Sequence, residues 1–130
     1  MPNISTNLAK IEELTECLSD MERTYENFFE KSADGFLILT IKGSILYCNS
    51  ALCSVLGYSK KDLLGNPHSA FIFLEDITKT KNILQEAKEN NSSAFFENRW
   101  THKDNQSISL SWSVSAPCCN KIFAVARVVK

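Results

Sequence analysis

The sequence predicts an α+β domain, and three observations carry that prediction. The chain opens with a heptad-spaced helical pattern. Two short apolar runs, FLILTI (36–41) and SILYC (44–48), follow on either side of Lys42-Gly43. Near the end, QSISLSWSVSAP (106–117) alternates apolar and polar with period two. Strands grouped at both ends of a run of helices, instead of alternating with them one by one, are an α+β pattern.

A chain of 130 residues fits one ordinary domain and can bury a core without staples. Hydrophobic content of 44% against 22% charged residues marks it as globular. The formal net charge is −1, so no global field draws nucleic acid or anionic lipid. No apolar run approaches the ~20 residues of a membrane span. The N-terminus MPNISTNLAKIEEL lacks the basic and apolar regions of a signal peptide. A cytoplasmic segment is expected, standing alone or within a longer protein.

The helical pattern covers residues 7–30. Ile11, Leu14, Leu18, Met21, Tyr25 and Phe28 fall at steps of 3, 4, 3, 4 and 3, an a/d seam. Glu12, Glu13, Glu16, Asp20 and Glu22 occupy much of the remainder. The seam either packs on its own domain or meets a second copy as a homodimer. Residues 1–30 are thus one unit and 31–130 the globular domain.

Ser32-Ala33-Asp34-Gly35 breaks the helix, and the two apolar runs form a hairpin. FLILTI is continuous, as expected of a strand buried on both faces. Asn49 stands where the second strand ends and helical spacing begins at Leu52, Val55 and Leu56. That is the place of an N-cap, whose loss costs about 1 kcal/mol. Gly57 suits the C-cap. Ser59 with Asp62 is a capping-box variant opening the next short helix. A longer helix spans 76–89, with Ile77, Ile83, Leu84 and Ala87 inward, and Asn90-Asn91-Ser92 stops it.

The last two hairpin strands can be registered from the sequence. A two-residue loop would mix core and solvent faces. A three-residue loop with Asn105 in the left-handed region pairs His102 with Gln106. Phe96, Asn98 and Trp100 then share a face with Ile108, Leu110, Trp112 and Val114, while Glu97, Arg99 and Thr101 join the serines. Asn98 is the single amide on that apolar face. Unsatisfied, it would cost about 1–3 kcal/mol, so it needs a partner from backbone, water or a ligand. Residues 120–130 close the chain as a final strand.

Catalytic signals are weak. Neither His68, after a proline, nor His102, which flanks a turn and reads as solvated, has a partner that would make a triad. The five cysteines show no CxxC spacing, so neither a disulfide framework nor a zinc site is indicated. Cys48 and Cys53 read as core filling. Cys118-Cys119, in a polar loop, is the more exposable pair.

The residues FFEKSADGFLILTIKGSILYCNSALCSVLGYSKKDLLG resemble the first half of a PAS domain, with DG before the first strand, N opening the first helix and LGYS leading into KKDLLG. FLEDITKTKNIL resembles the approach to the family's long helix. FFENRWTHKDNQSISLSW resembles its E-x-R, K-D-G and W hairpin. The resemblance covers residues 28–129. It implies a five-stranded antiparallel sheet of order 2-1-5-4-3 with helices on one face, and a sensory or docking role in a bacterial-type signalling protein, not an enzyme. It implies a central cavity, lined here by Phe96, Asn98, Trp100, Leu110 and Trp112, for a small ligand or a non-covalent flavin. The long helix lacks the histidine of haem-binding members. GNPHSAF (65–71) places His68 where adduct-forming photoreceptors carry their cysteine. Both cofactor types are therefore disfavoured. The alternatives are a ligand-free dimerisation or docking module and, more remotely, a thiol redox switch.

Overall fold

The computed structural model describes residues 4–129; for residues 4–7, 17–22, 25 and 26 only the backbone course is described. A long helix α1 (Ile4–Lys31) leads into β1 (Gly35–Thr40) and β2 (Ile45–Cys48). Two short helices, α2 (Ser50–Leu56) and α3 (Lys60–Leu63), and two 3-10 turns follow. Then come α4 (Ile77–Asn90), β3 (Ala94–Thr101), β4 (Ser107–Val114) and β5 (Lys121–Val128). The five strands form one antiparallel sheet in the order β2-β1-β5-β4-β3, as the resemblance implied.

One face of the sheet carries the core. Leu37, Leu39, Leu110, Trp112, Val114, Ile122 and Ala124 point from the strands into it, and Leu52, Leu56, Leu63 and Leu84 meet them from the helices. The outer face is only half covered. In β1 Leu37 and Leu39 are buried while Phe36 and Ile38 are partly exposed. That corrects the expectation of a strand buried on both sides. Among the described residues the end of α1 reaches this face, where Phe29 lies edge-on to Phe36 at 5.0 Å between ring centres.

The registered hairpin is as expected. His102 N–H donates to Gln106 O at 2.7 Å, Asn105 has φ 73°, and Asn98 faces Leu110. His102 departs from expectation: it is half-buried, not solvated, because its ring lies over Gly57. A Cβ at Gly57, whose φ is +78°, would come within 2.5 Å of that ring, so this C-cap accepts only glycine on both counts.

Both edges of the sheet are closed by the stretch between α3 and α4. Gly65 N–H bonds to Ile45 O at 2.8 Å and Ile45 N–H to Asn66 O at 2.9 Å, along the free side of β2. Farther on, Phe73 N–H bonds to Arg99 O at 2.8 Å along the free side of β3. Unpaired edge strands invite pairing with other chains, and covering them removes that risk.

Asn49 does more than cap. Its Oδ1 accepts Leu52 N–H at 3.1 Å, the cap bond, and also Phe36 N–H at 2.9 Å. Its Nδ2 donates to Phe29 O at 2.7 Å and Asp34 O at 2.9 Å. The side chain is fully buried and joins α1, β1 and α2. Four backbone groups lose partners together if it is removed. Asn49→Ala should therefore cost about 3 kcal/mol rather than the ~1 kcal/mol of a cap alone. Urea unfolding of the variant measures the difference, and a loss at the smaller figure would show that the extra bonds add nothing.

Candidate functional site

The space between the sheet and α4 is nearly filled. A cavity of about 20 Å³ remains, walled by Leu37, Thr80, Phe96, Asn98, Trp100 and Trp112 among others. That is about room for one water. Four of the five residues expected to line a cavity stand in its wall. Leu110 does not: it is fully buried in the core and does not reach the space. Haem or flavin would not fit this interior as it is packed.

Asn98 has its partners, though not those expected. Its Nδ2 donates to the Thr80 hydroxyl at 3.0 Å, and its Oδ1 accepts the Trp112 indole N–H at 2.8 Å. Two side chains, one from α4 and one from β4, satisfy it. Thr80 lies in α4 between the apolar positions Ile77 and Leu84, on the buried stripe. That spacing could have marked it as the partner, because a threonine on an inward face must bond to something polar. The three residues pin α4 to β3 and β4.

Trp100 is different. It is fully buried, stacks on Phe71 at 6.4 Å and lies 5.5 Å from Trp112. Its indole Nε1 is the buried side-chain donor that finds no acceptor among the described residues. Indole N–H groups in interiors normally have one.

At the β3 edge, Asp76 accepts Arg99 N–H at 2.7 Å, Arg99 Nε at 3.0 Å and, through its other oxygen, Nη2 at 2.8 Å. The guanidinium lies 4.3 Å from the Phe73 ring centre. These charge-assisted bonds hold the Asp76 carboxyl down at about 2. Glu30, at the end of α1, accepts from Tyr47 at 3.0 Å and pairs with Lys60 at 2.5 Å; Ser50 also contacts it. The Lys60 bond foremost brings Glu30 to about 2.

Two thiols are held in the neutral form. Cys48 Sγ lies 3.7 Å from Cys53 Sγ, and burial pushes the Cys48 thiol up to about 12. Cys118 and Cys119 are exposed, with sulfurs 3.6 Å apart, and the hydrogen bond from its neighbour raises the Cys118 pKa. Thiolate is disfavoured at Cys48 and at Cys118. Cys17 lies outside the described residues. Among the described residues no three histidine, cysteine or acidic side chains converge to hold a metal.

The family model for the PAS fold matches residues 20–116. The chain belongs to the PAS family. Its fold is shared by the PAS domain of an HTR-like protein from Haloarcula marismortui, with TM-score 0.76 and 21% identity over 91% of this chain and 99% of that one. It is also shared by a domain of a sensory box sensor histidine kinase/response regulator from Geobacter sulfurreducens, with TM-score 0.72 and 20% identity over 85% and 96%. A probable diguanylate cyclase, DgcE of Escherichia coli (strain K12), is 36% identical over 62 residues, 48% of this chain and 6% of that protein. This PAS domain is a sensory module of signal transduction. Among the described residues no helix is long and apolar enough to cross a membrane.

The Asp76 bonds to Arg99 set a pH dependence. A carboxyl held at about 2 in the folded state, against the ordinary 3.8, stabilises the fold above pH 4. That contribution fades as pH falls from 4 to 2 and amounts to about 2 kcal/mol. Asp76→Asn should be less stable at pH 7 by about that much and should lose less than the native chain between pH 4 and pH 2. Denaturant midpoints across that range check it; parallel curves would show that Asp76 does not carry the effect.

Proposed function

We propose that this PAS domain senses a small molecule in its central cavity and passes the signal through α1, within a cytoplasmic signalling protein and without catalysis of its own. The observation that carries the reading is a cavity walled by Trp100, whose buried indole N–H finds no acceptor among the described residues. A guest whose hydrogen-bond acceptor reached this N–H would satisfy it. A guest larger than a water must part the Thr80, Asn98 and Trp112 contacts, because the cavity is only about 20 Å³. Entry would thus shift α4 against the sheet, which makes occupancy and conformation a linked equilibrium. Leu37 stands in the same wall, and its neighbour Phe36 is bonded to Asn49, which is bonded to α1. The cavity and the helix are thereby joined through one strand and one side chain.

The second part of the reading is a homodimer through the α1 seam. Ile11, Leu14 and Phe28 are exposed at 58%, 65% and 64%. Leu18, Met21 and Tyr25 complete the heptad pattern, and their side chains lie outside the described residues. An a/d pattern whose described members are exposed, on a 28-residue helix about 42 Å long, suits a coiled-coil partner. A ligand-free docking module would share this seam but not require a guest.

Thermal-shift screening against small polar metabolites, with native mass spectrometry of the purified protein, tests the sensor. A bound species or a shift that Trp100→Phe abolishes is expected. A library without effect on the native chain would leave the docking module standing instead. Separately, deleting residues 1–27 should convert a dimer to a monomer in light scattering; an unchanged mass would end the seam's role.

A further inference from the structure

A second, larger space opens on the surface beside the central cavity. Its volume is about 340 Å³, within the roughly 300–1,000 Å³ of small-molecule sites. One wall is a stripe of α4, where Ile77, Lys81, Leu84 and Lys88 recur at helical spacing. The facing wall is the β1–β2 turn with Ile41 and Lys42. Leu39, Leu84 and His68 border both this groove and the inner cavity, so they form the partition between the two.

The floor is apolar and the rim is basic. Lys42 and Lys81 are exposed and Lys88 is half-buried. Among the described residues none of the three lies within ion-pairing distance of a carboxylate, and the groove wall contains no acidic residue. The chain as a whole carries a net charge of −1, so three cations without acids around one groove are a local arrangement. His68 adds an acceptor. Its Nδ1 sits 2.7 Å from Gly43 O, which makes Nδ1 the protonated nitrogen and leaves Nε2 without a protein partner among the described residues. Gly43 admits this contact because a Cβ there would stand 2.9 Å from the ring.

We propose that this groove binds an amphipathic monocarboxylate. Its apolar body would lie along Leu39, Ile72 and Ile77, and its carboxylate between Lys81 and Lys88 with Lys42 opposite. A cation is repelled by this rim, and a neutral molecule of the same shape leaves the lysines unused. Occupancy of this site does not require a guest in the inner cavity.

The test is NMR titration of the full chain with octanoate and, as a neutral match, octanol. Octanoate should saturate with shifts at His68, Lys81, Leu84 and Lys88, and should bind at least tenfold tighter than octanol. The double variant Lys81→Glu/Lys88→Glu should lose at least tenfold in octanoate affinity with an unchanged circular dichroism spectrum. Lys42→Glu, on the other wall, is the second variant should the first not fold. Equal affinity for octanol would overturn the proposal, as would retained octanoate binding in the folded variants or no saturable binding at all. Shifts confined to Asn98 and Trp112 would also overturn it, while supporting a guest in the inner cavity.

Discussion

Three elements of this domain meet at one amide. Asn49 holds the last turn of α1, the first residues of β1 and the opening turn of α2 with four hydrogen bonds from a fully buried side chain. Each satisfied backbone group would otherwise be stranded where water does not reach. An amide is suited to the place because it accepts on one side and donates on the other. A carboxylate could not donate to Phe29 and Asp34, and an alanine could bond to none of the four. The direction in which α1 leaves the domain is set here, with Glu30 and its partners Tyr47 and Lys60 adding a second attachment nearby.

The stretch from Gly65 to Asp76 imposes a second constraint. It runs from the free edge of β2 to the free edge of β3 and bonds to both. Asp76 ends it with a bidentate grip on Arg99 and a bond to that residue's backbone. The helical layer is thereby tied down at both margins of the sheet. Between the margins, Thr80, Asn98 and Trp112 pin α4 to the strands, and only a water-sized space is left. The interior therefore has little slack: a guest there must displace packed groups, whereas one in the basic groove need not. The two spaces ask for different chemistry, an acceptor for a buried indole in one and an anion for unpaired lysines in the other.

Local order was largely legible in the chain. The cap at Asn49, the C-cap at Gly57, the box of Ser59 and Asp62 and the bulge at Asn105 rest on interactions within a few residues, and each is present. The face shared by Asn98 and Trp112 followed from period-two alternation. Partners distant in sequence were not legible. The need of Asn98 for a partner could be stated, but Thr80 is 18 residues away, and only the packing of α4 across the sheet brings its hydroxyl there. Leu110 shares the face yet misses the cavity, since alternation gives a side and not a depth. His102 reads as solvated from its turn and is half-buried because α2 ends against it.

By itself, then, the sequence determined the elements, their caps and the inward face of each strand, because those follow from backbone geometry and hydrophobic period. It also determined the family, through motifs in order. Tertiary structure decided how much room the interior keeps, which donor is left unpaired, and which lysines gather without acids. Those depend on contacts between residues far apart in the chain, where small differences in side-chain volume and in helix placement decide whether a space is closed, water-sized or open.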